Sequence, residues 1–270
     1  MFDLHVHSSP CLLPRLADDA ETVAFYEAAG FRGCVLKSHF EPTAGRARAA
    51  RAGRRPAVYG GIVLNSAVGG LNPDAVEASL ALGARVVWMP TIDSHAHVDA
   101  GLPRPHGAAP VGALPPVTSA NETAVRRILD LVSAADAVLA TGHLSPAEIG
   151  WLVPAALQAG VRRVLITHAS FTVPALDASA TRSLVALGAK AEVTAFQLLH
   201  QEGASGARLA AFIRAVGPEH CVLSSDAGQP DSPPAPEALL RLAETLVSEG
   251  LERGDVEAMA SELPEALVTV

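Results

Sequence analysis

A glycine closing a helix-like stretch, often one or two basic residues, and then a short β-branched apolar run recur along this chain of 270 residues. Gly30 leads into Cys34-Val35-Leu36, Gly83 into Arg85-Val86-Val87-Trp88, and Gly160 into Arg162-Arg163-Val164-Leu165-Ile166. Gly188 leads into Ala191-Glu192-Val193 and Gly217 into Cys221-Val222-Leu223. Glycine just past a helix supplies the left-handed C-cap, so each repeat predicts a helix stop followed by a strand. Helix starts are also marked. Asn72-Pro73 places a capping side chain before proline, and Ser145-Pro146-Ala147-Glu148 has the spacing of a capping box. Apolar runs predict eight strands, near residues 2–6, 33–38, 57–64, 84–90, 137–141, 163–167, 190–195 and 221–225. Eight β/α units in about 250 residues is the count of a closed barrel. The expected fold is therefore α/β, a (β/α)8 TIM barrel forming one domain over residues 1–270. A long loop over 92–118 follows strand four, and a short helical tail covers 254–270. A doubly wound open sheet is the alternative, but no GxGxxG follows the first strand.

Composition narrows the function classes. Twenty Lys and Arg against 28 Asp and Glu give a net charge of −8, which argues against a phosphate-backbone binder and hence against nucleic acid. No apolar run approaches the ~20 residues that span a bilayer, so no membrane partner is expected. Met1-Phe2-Asp3-Leu4-His5 lacks the basic and apolar regions of a signal peptide, and the expected location is cytoplasmic. Cys11, Cys34 and Cys221 are too far apart for a CxxC site. The low aromatic content, 4%, predicts a substrate pocket walled mainly by aliphatic side chains.

The ten histidines carry the functional signal. In a TIM barrel the chemistry sits at the C-terminal ends of the strands. His5 and His7 end strand one, and period-two alternation points both rings to one face. Lys37 and His39 have the same spacing on strand two, His143 follows strand five, His168 ends strand six, and Asp226 follows strand eight. Glu192 lies within strand seven, an unusual residue for a buried sheet. Asp93, His95 and His97, in the loop after strand four, are expected to support the ligands from behind. A lone strand-end histidine is more often a hydrogen-bonded loop residue than a ligand, and Asp226 alone could cap the next helix. The coincidence at one mouth favours metal, because clustered buried imidazoles without a cation carry uncompensated desolvation. His220, before strand eight, reads as structural, and His106 and His200 carry no signal. The predicted metal ligands are His5, His7, His39, His143, His168, Glu192 and Asp226, with Asp226 and Lys37 as catalytic groups.

These residues resemble the amidohydrolase superfamily. Phe2-Asp3-Leu4-His5-Val6-His7 is similar to its strand-one HxH, and His143, His168 and Asp226 match its ligands on strands five, six and eight. That resemblance implies a divalent-metal hydrolase of an amide, ester or thioester. Asp3-Leu4-His5-Val6-His7-Ser8 with Leu36-Lys37-Ser38-His39 also resembles the polymerase-and-histidinol-phosphatase family, which would imply a phosphoesterase. Ser38 and Asn65, however, stand where that family carries Asp and Glu. Strand four, Val87-Trp88-Met89-Pro90-Thr91, offers no bridging lysine, whereas strands two and seven add donors. With Leu36-Lys37-Ser38-His39-Phe40-Glu41-Pro42, that surplus makes the chain similar to TIM-barrel nonheme diiron monooxygenases of the platensimycin and platencin biosynthesis type. This last resemblance, the preferred one, implies two divalent ions, iron rather than zinc or manganese, with O2 as co-substrate and an electron donor as partner. It further implies hydroxylation of a C–H bond in a small coenzyme A-linked substrate, possible phosphate contacts being Arg104 or Arg46, Arg48 and Arg51. A non-catalytic metal-binding barrel is the remaining alternative.

Overall fold

The computed structural model of the chain describes residues 1–103, 113–118 and 121–269. Eight parallel strands lie side by side in chain order. They are β1 (Phe2–His7), β2 (Gly33–Lys37), β3 (Ala57–Val63), β4 (Val86–Trp88), β5 (Val138–Ala140), β6 (Arg163–Ile166), β7 (Lys190–Thr194) and β8 (Cys221–Ser224). Parallel neighbours need crossovers, and helices supply them. These include α1 (Asp19–Ala28), α2 (Ala44–Arg51), α3 (Pro73–Ala81), α4 (His95–Asp99), α5 (Glu122–Ala134), α6 (Pro146–Gln158), α7 (Ala178–Val185), α8 (Ala195–His200), α9 (Gly206–Val216) and α10 (Ala235–Ser248). The fold is a (β/α)8 TIM barrel.

The local signals act as their chemistry requires. All five repeat glycines have positive φ. Ser145 and Glu148 form both bonds of the capping box on α6, and the Asn72 side chain accepts from the Asp74 and Ala75 amides at the start of α3. The stretch over 92–118, expected to be irregular, instead opens with α4, capped by the Ser94 hydroxyl. Residues 104–112, with Arg104 and His106, lie outside the described residues.

The ring closes just beyond the end of β8. Val6 bridges Ala227, the Asp226 amide donates to the His5 carbonyl at 2.8 Å, and the His7 amide donates to the Ala227 carbonyl at 2.9 Å. Gly228 is required at this seam: its φ is +119°, and a Cβ there would stand 2.0 Å from the His7 carbonyl oxygen.

Inside the barrel, Phe2, Leu4, Val35, Val63, Val86, Trp88, Val138, Ala140, Leu165 and Val222 form one apolar plug. The register of β1 against β2 shifts between Asp3 and Val6. Such a bulge puts an extra residue on one strand and resets its alternation. Phe2 and Leu4 therefore pack in the plug, His5 lies against Trp88 directly above it, and Val6 joins the outer core between strands and helices. Strict alternation along the whole strand would have put Leu4 and His5 on opposite faces.

The lower end is sealed by the last helices, α11 (Arg253–Met259) and α12 (Glu262–Val268), with Leu267 and Val268 joining the plug. Arg163, at the start of β6, donates from Nη1 to the carbonyls of Ala266, Leu267 and Thr269 and pairs with Asp136 at 2.7 Å. Arg85 donates to the Val268 carbonyl at 2.8 Å. Among the described residues no helix is long and apolar enough to cross a membrane.

Candidate metal centre

At the upper mouth β1 and the residues after β8 bring three donors together. His5 Nε2 lies 2.9 Å and His7 Nε2 3.2 Å from Asp226 Oδ1, and the ligand atoms of all three residues lie within 4.8 Å of one another. Two imidazoles and a carboxylate with room for further ligands is a donor set suited to zinc and its neighbours. Lys37 Nζ comes within 2.9 Å of His5 Nε2 and stands 5.3 Å above the Trp88 ring. A cluster that draws a buried ammonium to itself is one whose field favours a cation.

The backbone is bent to make this arrangement. Asp226 has φ +49° and His168 φ +27°, both in the region that residues with a Cβ avoid. Asp226 is held by the seam bond to His5 and by Gln229 Nε2, which donates to its carbonyl at 3.0 Å. The His168 amide donates to Glu192 Oε2 at 3.0 Å. Strained backbone persists where the surroundings over-determine it, and such places cluster at functional sites.

The other expected ligands surround this group. His143 Nε2 and His168 Nε2 face each other at 3.1 Å, and His168 Nδ1 is buried without a partner. His39 stacks on His7 with ring centroids 4.8 Å apart, while its Nδ1 meets Thr91 Oγ1 at 2.9 Å. Glu192 sits behind His5, an expected ligand, its Oε1 3.2 Å from Nδ1, and is not among the three converging donors. A carboxylate there fixes the ring's tautomer and raises its basicity. His97 reaches a ligand too, its Nδ1 2.8 Å from His143 Nδ1. Asp93 and His95 make contacts of their own. Asp93 accepts from the Ser66 amide, whereas His95 is exposed and paired with Asp99 at 3.0 Å. On a helix, residues two apart point about 200° apart, so His95 and His97 cannot serve the same site.

Burial and charge set the protonation states. Burial pushes His7, His39 and His143 well below the ordinary imidazole range and His168 down to about 4, leaving neutral rings with free lone pairs. Burial also lowers His5, but Asp226 and Glu192 more than offset it and the net direction is upward. Burial raises the Asp226 carboxyl, and the facing His5 and His7 overcome it and hold it well below its usual range. Lys37 is brought down by burial to about 8.

Several supporting residues went unread in the sequence. Asp3, outside the ring, accepts from the His5 and Ser225 amides and from the Tyr26 hydroxyl. Asn65 bonds Thr91 through both ends of its amide and thereby braces His39. A cavity of ≈ 330 Å³ opens on the cluster, walled by Leu13, Ile92 and Leu102 but also by Phe171 and Phe196. The apolar part of the wall is thus aliphatic on most sides, with two phenyl rings that bulk composition could not place. Arg46 also departs from its expected role. Its guanidinium is taken up by Asp19, Glu41 and the Ser8 and Pro10 carbonyls, so it ties the loops after β1 and β2 and offers no free fork to a phosphate.

Comparisons with known proteins agree on the fold. A protein of Agrobacterium tumefaciens, solved in its apo form, superposes with a TM-score of 0.64 at 16% identity, over 100% of this chain and 95% of its own. An amidohydrolase from Burkholderia multivorans gives 0.61 at 15%, over 99% and 98%. An amidohydrolase from Pseudomonas aeruginosa gives 0.61 at 12%, over 98% and 94%. No curated protein matches the sequence. Residues 1–192 match the model of a family of unknown function, DUF6282, and the chain belongs to that family.

Proposed function

We propose that this chain is a divalent-metal-dependent hydrolase of the amidohydrolase type, acting on the carbonyl of a small amide, ester or thioester. The observation that carries this reading is the convergence of His5, His7 and Asp226 at a buried mouth that opens on a substrate-sized cavity. Structural neighbours that include amidohydrolases and a deacetylase support the choice of chemistry. His5, His7 and Asp226 would hold the ion, with His143 as a further donor; zinc is the best match to these donors and manganese the next. The ion supplies Lewis acidity and acidifies water near neutral pH. Asp226, ionised in the resting site, takes the proton of the attacking water and returns it to the leaving group. Lys37 lines the cavity with its ammonium at the cluster and stabilises the oxyanion. Glu192 and His97 hold the rings of His5 and His143.

A second reading, the nonheme diiron monooxygenase using O2 and an electron donor on a coenzyme A-linked substrate, draws on one observation. His143 and His168, facing each other through Nε2 at 3.1 Å, add imidazole donors beyond the first three. Protein purified anaerobically and analysed for metal separates the two. Zinc or manganese, with hydrolysis of a panel of esters, thioesters and amides in the absence of oxygen, is the expected result. Two irons per chain with an optical change on adding oxygen would overturn it.

A further inference from the structure

Arginines packed into this protein otherwise have carboxylate or carbonyl partners. Arg46 is paired with Asp19 and Glu41, and Arg163 with Asp136 and three carbonyls. Arg15 breaks that pattern. It sits in the loop after β1 and lines the cavity beside His7, Lys37 and His39. Its Nε donates to Cys11 Sγ at 3.3 Å, a weak acceptor. Its Nη2 is shielded from solvent and has no acceptor, and among the described residues no carboxylate lies within ion-pair distance. The position is fixed by the main chain. The Leu16 amide donates to the Gly228 carbonyl and the Ser9 amide to the Ala17 carbonyl, each at 2.9 Å, which pins the loop to the seam beside Asp226.

A guanidinium nitrogen shielded from solvent with no acceptor is costly, and that cost falls when an anion arrives to accept from it. The rest of the mouth does not supply one. Asp226 faces His5 and His7, and Glu192 faces His5. These two carboxylates are already matched in number by Lys37 and Arg15, so a divalent ion adds net positive charge. Leu13, Ile92 and Leu102 with the Phe171 and Phe196 rings, 5.8 Å apart edge to face, give the cavity that Arg15 shares with His7 and Asp226 an apolar wall.

We propose that Arg15 is a specificity residue that binds an anionic oxygen group, a carboxylate or a phosphate, on a substrate whose apolar body fills the cavity. This rests on the hydrolase reading for the carbonyl end of the substrate and names the chemistry of its other end. Arginine's planar fork matches either oxyanion through two parallel bonds, which a lysine cannot reproduce.

The test compares three probes, benzoate, phenyl phosphate and neutral benzamide, by calorimetric titration of the zinc-loaded protein. Wild type should bind at least one anion about tenfold or more tighter than benzamide, the size of a charge-assisted pair. The better of the two anions identifies the group as carboxylate or phosphate. Arg15→Gln, with its zinc content checked, should lose about that factor for the anion and nothing for benzamide, and Arg15→Lys should recover only part. Thermal melts separate loss of the contact from loss of the fold, and in that case Arg15→Lys alone carries the comparison. If Arg15→Gln keeps zinc and also keeps the full anion preference, the ion holds the anion. That sinks the role of Arg15 and leaves the hydrolase reading intact. If wild type shows no anion preference, the inference fails as well. A protein that takes up no zinc fails the hydrolase reading instead, and the same three probes on that protein still decide whether Arg15 selects anions.

Discussion

The two ends of the barrel treat charge in opposite ways. At the lower end Arg85 and Arg163, both half-buried, donate to helix carbonyls, and Asp136 completes the set. Every contact there is local satisfaction, and its product is a sealed floor under the plug. At the upper end imidazoles crowd together with neutral rings, and His168 Nδ1 and Arg15 Nη2 lack partners. The lower end is what a chain does with charge when stability is the only requirement. The upper end is poised for ligands, and it is tolerable only because the lower end and the plug hold the ring rigid.

The contrast can be broken in four places. The largest effect is expected from Asp226→Asn. It removes the carboxylate shared by His5 and His7 and should lower zinc affinity beyond the ~10–100-fold typical of a supporting residue, abolishing hydrolysis. Competition against a chelating dye measures this, and an unchanged affinity would remove Asp226 from the site. Arg163→Met should do the reverse. It strands three carbonyls, leaves Asp136 to Arg162 alone, and should cost about 2–4 kcal/mol in denaturant unfolding, with zinc affinity unaltered. A stability change below about 0.5 kcal/mol would show that the floor is not held as described.

Acid should find the upper end first. His7, His39, His143 and His168 have folded-state values below the unfolded ~6.5, so the unfolded chain binds more protons as pH falls. Their burial therefore costs stability progressively as pH falls below about 6.5, for His168 until about 4. Asp226 and Glu192, lowered in the fold, stabilise it above the unfolded carboxylate range and lose that contribution only at lower pH. His5, raised in the fold, opposes the trend, its contribution being present below the unfolded value and lost above the folded one. The net expectation for metal-free protein is a falling melting temperature from pH 7 to 4, with hydrogen exchange rising first around β1 and the residues after β8. Loss of protection first in α12 would contradict it. The smallest effect divides neighbours. His97→Asn should weaken zinc binding about tenfold through His143, whereas His95→Ala should change nothing.

Much of this was legible in the sequence because its signals are local. Helix stops, caps and apolar runs are read within a few residues, and strand order in a barrel follows chain order. Donors at strand ends were legible by the same logic, since parallel strands deliver all their C-termini to one mouth. The roles of individual residues were less so. His5 and His7 reach the interior with Leu4 through a bulge, which the one-letter pattern does not display. Glu192 was recognisable as buried and unusual, but its facing His5 Nδ1 depends on a strand pair far away in the chain. The separation of His95 from His97 followed from a helix in a segment whose composition suggests a loop. Arg15 had no local mark at all, because lacking a partner is a property of everything around it.

The barrel closes between its first and last strands, and Ser225 donates to the His5 carbonyl across 220 residues of chain. His5, His7 and Asp226 straddle that same join. An ion bound there is a clasp on a ring, linking the beginning of the polypeptide to a point near its end. Closing so long a loop in the unfolded chain is entropically expensive, and a clasp that forms only in the folded ring stabilises it by mass action. Loading the centre should therefore do more than equip a reaction: it should turn an open-ended coil of strands into a fastened hoop.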